Sequence, residues 1–193
     1  IRLAEVRERL SRRQAVSIED SVESQAAVAV LLAEFRGDTH ALLIQRAERE
    51  GDPWSGHMAF PGGRREPHET DLLLTAARET HEEVGIDILA HAEPIGRLDD
   101  IRAQSDRPMD LLIRPYVYAT STEVDPRPNA DEVQTTVWVP LSTLRTPAAA
   151  ARHRYPAAGT GASFPAFQYR GFVIWGLTYR MLTGLLETIS RAA

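Results

Sequence analysis

Residues 59–86 of the chain, AFPGGRREPHETDLLLTAARETHEEVGI, carry the most informative pattern in the sequence. The glycine pair Gly62 and Gly63 is expected to break the short strand that precedes it. Over residues 70–84 the apolar spacing changes to that of a helix, at about 100° per residue. Gly85 is the expected stop of this helix. One of its sectors carries the core-facing residues Leu73, Ala77, Thr80 and Val84.

The same helix gathers three acidic residues, Glu79, Glu82 and Glu83, in a sector away from the core-facing one. Carboxylates at this spacing repel each other, so the arrangement needs a reason. A solvated surface, paired with Arg78, is the simplest one. The glycine pair before the helix favours a second reason, a metal-binding site. Clustered carboxylates suit hard divalent cations, which take oxygen ligands. Mg²⁺ or Mn²⁺ fits better than zinc, which prefers histidine and cysteine.

Composition limits the function classes. The chain has 193 residues, a net charge of −5 and no cysteine. The negative charge argues against a surface for nucleic acid polymers. The lack of cysteine excludes disulfides, thiolate metal sites and cysteine nucleophiles. No apolar run approaches the ~20 residues that span a bilayer, so no membrane association is expected and cytoplasm is the default location.

The remaining pattern predicts an α/β sandwich in one domain, residues 26–193, after an N-terminal helical segment, residues 1–25. That segment places Leu3, Val6 and Leu10 on one side of a helix. A β-hairpin turning at Gly37-Asp38 is expected first. Further strands are predicted at 93–98, 111–119 and 135–140. A short helix is expected after 140, a loop over 147–165, and a terminal strand and helix using Leu177, Met181, Leu185 and Ile189.

The pattern from Gly63 through Glu69 to residues 78–86, RETHEEVGI, resembles the Nudix box of the Nudix hydrolases. Two features depart from that box. Eight residues rather than seven separate Glu69 from Arg78, and Thr80 replaces an aliphatic residue. The longer spacer resembles the coenzyme A pyrophosphatase branch, as do the segments LLIQRA and SGHMAFPGG upstream. The resemblance implies a Nudix-type α/β/α sandwich with a mixed β-sheet between helices.

The resemblance also implies roles for the residues of the box. Glu79, Glu82 and Glu83 would hold Mg²⁺ or Mn²⁺, with a carbonyl at Gly63 as an added ligand, and Arg78 would orient a glutamate. Gly62 and Gly63 would let the backbone approach the metal or the phosphates. Outside the helix, Glu132 is the candidate general base or added ligand. Further acidic candidates are Glu69, Asp99 and Asp100.

By the same resemblance, the chain would hydrolyse the pyrophosphate of coenzyme A or its thioesters to 4′-phosphopantetheine and adenosine 3′,5′-bisphosphate, acting as a homodimer. The phosphates of the adenosine end would be bound by arginines, and its base would stack on a tryptophan. The candidate residues are Arg46, Arg64, Arg65 and Trp54, with Arg49 nearby. Two alternatives stay open. One is the same chemistry on ADP-ribose, NADH or a dinucleoside polyphosphate, and the other is a non-catalytic nucleotide-binding module. Isomerase chemistry of this fold is disfavoured, since its best-known members use a cysteine.

Overall fold

The computed structural model describes residues 1–18, 24–52, 54–103, 110–120, 124–155 and 162–190. The strands are β1 (Ser24–Phe35), β2 (Asp38–Arg46), β3 (Met58–Ala59), β4 (Gly62–Arg64), β5 (Glu93–Arg97), β6 (Ile101–Ala103), β7 (Leu111–Thr120), β8 (Val133–Pro140), β9 (Ala150–Arg154), β10 (Ser163–Tyr169) and β11 (Phe172–Trp175). The helices are α1 (Leu3–Ser11), α2 (Leu72–Val84), α3 (Ile88–His91), α4 (Leu141–Leu144) and α5 (Gly176–Ser190), with a 3₁₀ turn at Pro147–Ala149. None of the described helices is long and apolar enough to cross a bilayer.

The main sheet has eight strands and is mixed. Its central order is β3-β2-β1-β7-β5, and β4, β6 and β8 pair with β1, β7 and β2. β1 and β7 run parallel, from Ser24 opposite Leu111 to Ala33 opposite Thr120, whereas the other pairs are antiparallel. β1 and β7 can both be apolar almost throughout because helices cover both faces of the sheet.

The sheet lies between two helical layers, as predicted. α2 packs on one face, where Ala76 and Val84 join the buried side chains of β1 and β2. α1, α4 and α5 cover the other face, and the core there includes Leu3, Val6 and Leu10 of α1 with Met181, Leu185 and Ile189 of α5. The N-terminal helix is therefore part of the same hydrophobic core as the C-terminal helix. The predicted boundary at residue 25 stays a prediction.

The predicted hairpin forms with its turn one residue earlier than expected. Arg36 and Gly37, rather than Gly37 and Asp38, occupy the two turn positions, with φ angles of 54° and 78°. Two positive φ angles match a two-residue hairpin turn whose twist fits the flanking strands. Asp38 is instead the first residue of β2.

The prediction of a loop over residues 147–165 was wrong, and so was that of a single sheet. β9 and β10 lie within this stretch and form a three-stranded antiparallel sheet with β11. β9 alternates between exposed and half-buried side chains, so its sequence AARHR has no apolar face to reveal a strand. The middle of the predicted loop, residues 156–161, lies outside the described residues.

Candidate active site

A cavity of about 770 Å³ lies between the main sheet and the first turns of α5. Its walls come from β1, β4, α2, α5 and the segments around β2 and β3. It collects most of the site residues predicted from the sequence, although these lie far apart in the chain. The predicted residues that line it are Arg46, Trp54, Gly62, Gly63, Arg64, Glu79, Glu83 and Glu132.

The glycine pair forms strand β4 rather than a turn. Gly62 and Gly63 pair with Val28 and Ala27 of β1 in antiparallel register. A Cβ on Gly62 would lie 2.6 Å from the Cα of Val28, and the φ angle of 153° also disfavours a side chain there. A Cβ on Gly63 would lie 2.5 Å from both carboxylate oxygens of Glu79. The glycines therefore allow β1, β4 and α2 to pack closely together.

Glu83 is the buried member of the acidic cluster, with 3% of its surface exposed. Its Oε2 accepts a hydrogen bond from the backbone N–H of Gly62 at 2.8 Å. Burial raises the pKa of Glu83 to about 8, and the charges of Glu79 and Glu132 add to this effect. The Gly62 hydrogen bond and Arg46 only partly oppose it. A buried carboxylate with too few donors favours either a proton or a cation.

Glu79 is affected by the same burial and neighbouring charges as Glu83. Burial raises its pKa, Arg78 opposes the increase, and the carboxylates of Glu82 and Glu132 add to it. Glu79 and Glu83 are adjacent members of the cavity wall, and each also repels Glu132. Three acidic side chains from two separate segments of the cavity lining therefore repel one another.

Arg78 holds the glutamates in place from outside the cavity. Its Nε lies 2.9 Å from Oε1 of Glu69, and its Nη1 lies 2.9 Å from Glu79 and 2.8 Å from Glu82. Its Nη2 donates to the carbonyl oxygen of Arg64 at 3.0 Å. The hydrogen bond to Glu69 is the main reason that the pKa of Arg78 is raised. One planar guanidinium thus ties three acidic residues to β4.

Glu69 and Glu82 do not line the cavity. Glu69 is buried and accepts hydrogen bonds from Thr75 Oγ1 and from the backbone N–H of Glu66, both at 2.8 Å. Burial alone would raise the pKa of Glu69, but the bonds from Arg78, Glu66 and Thr75 lower it to about 2. Glu82 is 49% exposed and is paired with Arg78. In this structure Glu69 orients Arg78, and Glu82 lies at the edge of the cluster.

Glu132 and Arg46 line the cavity from segments outside α2. The carbonyl oxygen of Glu132 accepts from Ala47 N–H at 2.8 Å, which fixes it beside the end of β2. Arg46 pairs with Asp52 at 3.0 Å. Its buried Nε has no hydrogen-bond partner in the part of the chain that the structure describes. A buried donor without a partner suits an anionic ligand, since leaving it unpaired costs free energy.

The donor set fits a hard divalent cation that is completed by other ligands. In the described ranges, no three histidine, aspartate or glutamate side chains form a ready-made metal shell. Glu79 and Glu83 nevertheless face one cavity as carboxylates whose ionised forms are disfavoured without a cation. Mg²⁺ is commonly bound by one or two carboxylates, with water and substrate phosphates in the remaining positions.

Three predicted candidates lie away from the cavity and hold other segments. Arg65 donates to Gln25 Oε1 and to the carbonyl oxygen of Glu69, both at 2.8 Å. Asp99 and Asp100 accept from the N–H groups of Val16 and Ile18 at 2.7 and 2.9 Å, and they also pair with arginines. These aspartates fasten the segment after α1 to the main sheet.

Comparison with protein families identifies the arrangement. The NUDIX domain family matches residues 23–158, a range that includes β4, α2 and Glu132. The chain belongs to the Nudix family. The segment that resembles the Nudix box, with the glycine strand, Arg78 and the acidic cluster, lies within the matched range.

Several curated proteins are similar to this chain. It is 31% identical over 159 residues to the mitochondrial coenzyme A diphosphatase NUDT8 of Homo sapiens, covering 80% of this chain and 65% of that protein. It is 29% identical over 137 residues to the peroxisomal coenzyme A diphosphatase NUDT7 of Mus musculus, covering 65% and 54%. It is 40% identical over 111 residues to the uncharacterized protein C14C4.10c of Schizosaccharomyces pombe, covering 56% and 34%. The chain thus spans less than two thirds of the length of each relative.

The Nudix fold is also seen in a solved structure, a MutT/nudix family protein from Enterococcus faecalis. It aligns with a TM-score of 0.56 and 18% identity, covering 97% of this chain and 68% of that one. The agreement confirms the predicted fold class.

Sequence reasoning missed cavity residues that come from outside the Nudix box. Trp175, Leu177 and Arg180 line the cavity from the end of β11 and from α5, and His57 lines it from the segment before β3. Burial, together with the nearby His153, lowers the pKa of His57. Leu177 was expected only as an apolar residue of the terminal helix, and no periodic pattern marks His57, Trp175 or Arg180, because only the packing of the three-stranded sheet beside β3 brings them to the cavity.

Proposed function

We propose that this chain is a divalent-cation-dependent pyrophosphohydrolase that splits coenzyme A or its thioesters into 4′-phosphopantetheine and adenosine 3′,5′-bisphosphate. The observation that carries the proposal is the meeting of Glu79, Glu83 and Glu132 in one cavity that also presents Arg46. Hydrolysis of a pyrophosphate requires a site that balances negative charge on adjacent phosphates and directs a water at phosphorus.

In the proposed site, Glu79 and Glu83 would hold Mg²⁺ or Mn²⁺, with the carbonyl oxygen of Gly63 as an added ligand and Glu82, which does not line the cavity, as a ligand from the edge of the cluster. When bound, the cation neutralises phosphate charge and orients the phosphates. Arg78 keeps Glu79 at a fixed distance from β4 through the contacts described above. Arg78 thus positions the carboxylates and is not itself a metal ligand.

Glu132 is the proposed base that accepts a proton from the attacking water. Its supporting feature is its place in the cavity wall, on a segment that is fixed to Ala47 and separate from α2. A base on a separate element can face the phosphate from a different direction than the cation-binding carboxylates. The cation and the base then need not compete for one carboxylate.

Coenzyme A is the proposed substrate because two relatives at 29–31% identity are named coenzyme A diphosphatases. Arg46 offers a buried, unpaired Nε to a phosphate oxygen. Arg64 and the partly exposed Trp54 also line the cavity and are proposed to contact the nucleotide. Assembly as a homodimer and a cytoplasmic location remain predictions.

Product analysis by mass spectrometry tests the proposal. The purified chain is incubated with Mg²⁺ or Mn²⁺ and, separately, with coenzyme A, acetyl coenzyme A, NADH, ADP-ribose and a dinucleoside polyphosphate. Glu83→Gln is the inactive comparison, and Glu187→Gln, an exposed α5 variant outside the cavity, is the matched control. Release of 4′-phosphopantetheine by the wild type and the control alone is the expected result.

The other outcomes separate the alternatives. Cleavage of ADP-ribose, NADH or the dinucleotide without cleavage of either coenzyme A substrate would retain the chemistry and reject coenzyme A. Nucleotide binding without any cleavage would favour the non-catalytic module. Full activity of Glu83→Gln at saturating Mg²⁺ would contradict the assignment of the metal site.

A further inference from the structure

The C-terminal unit, defined as β10, β11 and α5, forms one wall of the cavity although it lies beyond the NUDIX domain match. That match ends at residue 158, whereas the unit covers residues 163–190. A fold shared by many enzymes carries common chemistry, and substrate choice comes from the parts that differ around it. A cavity wall added outside the common domain is therefore the place to search for determinants of substrate choice.

α5 is fastened above the cavity by a buried hydrogen bond. The hydroxyl of Thr178 donates to the carbonyl oxygen of Met58 at 2.9 Å and so joins the first turn of α5 to β3. Positions 176, 177, 180 and 181 all line the cavity. Their spacing places them on one side of a helix. The direction of Arg180 is thus set by a helix that is anchored to the sheet.

Arg180 differs from the other arginines of the cavity. No residue in the described ranges lies within hydrogen-bond or ion-pair distance of its side chain, which is exposed. The other arginines of the cavity all have interactions within the chain: Arg46, Arg49, Arg64 and Arg102. A guanidinium is always charged and its planar donors match the oxygens of a phosphate. Arg180 is thus a cation directed to the cavity and available to an anionic group of a ligand.

Aromatic rings line the cavity next to this cation. The ring centroids of Trp175 and His57 are 4.9 Å apart at an interplanar angle of 69°, and both residues line the cavity. The rings of His153 in β9 and of Tyr155, just after β9, pack against Trp175 with centroid distances of 4.5 and 4.9 Å. The rings thereby fix Trp175 in place and leave part of it facing the cavity. Aromatic surfaces of this kind stack with nucleobases.

We propose that the C-terminal unit binds the 3′-phosphorylated adenosine end of the substrate, with Arg180 contacting the 3′-phosphate and Trp175 and His57 receiving the adenine. The assignment rests on the proposed function, in which the substrate is coenzyme A. The scissile pyrophosphate then lies at Glu79 and Glu83, and the 3′-phosphate has a separate cation. Nucleotides that lack a 3′-phosphate cannot use Arg180, which gives the chain a basis for choosing coenzyme A.

Kinetics with two substrates and two variants test this assignment. Arg180→Gln is compared with the wild type on coenzyme A and on 3′-dephospho-coenzyme A. The kcat/KM for coenzyme A is expected to fall by about 10- to 100-fold, mainly through KM, because a charge-assisted contact is lost. The value for the dephosphorylated substrate should change by less than about twofold. Arg145→Gln, an exposed change outside the cavity, is the control for loss of charge.

Two kinetic outcomes overturn the assignment. One is an equal loss on both substrates, which would place Arg180 at the pyrophosphate or in a general structural role. The other is no loss on either substrate. If the wild type cleaves neither compound, it is the proposed function that fails, and the assignment is then tested by calorimetric binding of adenosine 3′,5′-bisphosphate. Binding that Arg180→Gln weakens at least tenfold supports it, whereas absent or unaffected binding overturns it.

A fluorescence titration tests the position of the adenine separately from catalysis. The chain has three tryptophans, so a Trp54→Phe, Trp138→Phe double variant leaves Trp175 as the reporter. Adenosine 3′,5′-bisphosphate is expected to quench its emission, and Arg180→Gln should shift the titration to higher concentration. Saturated binding by calorimetry with unchanged Trp175 emission would overturn the placement of the adenine.

Discussion

Replacing Gly63 by alanine should disable the site without unfolding the protein. A Cβ at this position would lie 2.5 Å from both carboxylate oxygens of Glu79, whereas ordinary contacts are at least 3.4 Å. The carboxylate, or β4 itself, must therefore move by about 1 Å, and a displacement of that size costs roughly 100-fold in rate. The backbone of Gly63 has no positive φ angle, so alanine fits its strand conformation. We expect kcat/KM to fall about 100-fold.

The assay for this prediction compares kcat/KM, the Mg²⁺ concentration for half-maximal activity and the thermal midpoint. Gly184→Ala in α5 is the matched control, since a Cβ there meets nothing within 4 Å. Alanine should raise the stability of that helix by up to about 1 kcal/mol and leave catalysis unchanged. Wild-type catalysis and Mg²⁺ dependence in Gly63→Ala would show that the close approach of β4 to Glu79 is not needed.

Three further predictions follow from the charges of the site. Arg78→Lys should lower kcat about 100-fold, because an ammonium cannot replace the fork that joins Glu69, Glu79 and Glu82; equal activity of this variant and an Arg145→Lys control would contradict it. Glu69→Gln should lower the free energy of unfolding at pH 7 by about 3 kcal/mol, because it breaks a buried ion pair. Since folding lowers the pKa of Glu69 from 4.5 to about 2, its contribution is complete above pH 4.5 and is lost as pH falls toward 2. Denaturant titrations should therefore show a smaller difference between the variant and the wild type at pH 3 than at pH 7, and a constant difference would contradict this cause. Mg²⁺ binding at pH 7 should release roughly one proton, because the cation displaces it from Glu83, whose pKa is about 8. Calorimetry in two buffers of different ionisation enthalpy measures that release, and identical heats would contradict it.

The sequence predicted the parts of the structure that depend on local spacing. The helical period over residues 70–84 and the stop at Gly85 correspond to α2, which begins at Leu72 after the N-cap Asp71. The glycine of the predicted stop has a left-handed φ of 67°. The acidic sector follows from the same period, so Glu79 and Glu83 could be placed on one side of the helix before the fold was known.

The degree of burial of that acidic sector could not be predicted from spacing. Glu83 is covered by β4 because Gly62 and Gly63 form a strand against β1, and strand pairing is a tertiary contact. The role of Glu69 was hidden for a similar reason. Its position nine residues before Arg78 does not show that its carboxylate accepts hydrogen bonds from both Thr75 and Arg78. Arg65, Asp99 and Asp100 looked equivalent to the cavity residues by type alone, and only the fold separates them.

The sequence predicted the terminal strand and helix, with Leu177 and Met181 on the helix, but not that they form one side of the cavity. β9 lacks an apolar alternation because its half-buried positions include His153, which packs against Trp175, and β10 lacks one because two consecutive residues, Ala166 and Phe167, are buried. In the sequence, Arg180 cannot be distinguished from other surface arginines. Its position at the cavity follows from the hydrogen bond of Thr178, which joins α5 to β3. The chemistry of the site was therefore visible in one short segment, whereas the residues proposed for substrate choice became visible only in three dimensions.

Electron paramagnetic resonance of bound Mn²⁺ tests whether Glu79 and Glu83 form a divalent-cation site. The measurement requires no knowledge of the substrate. The wild type and the Glu187→Gln control are expected to bind Mn²⁺ with equal affinity. Glu83→Gln and Glu79→Gln should each weaken binding by at least about tenfold, since each removes one of the few charged ligands. Unchanged Mn²⁺ affinity in both folded variants would contradict a metal site at these residues and, with it, the proposed pyrophosphohydrolase.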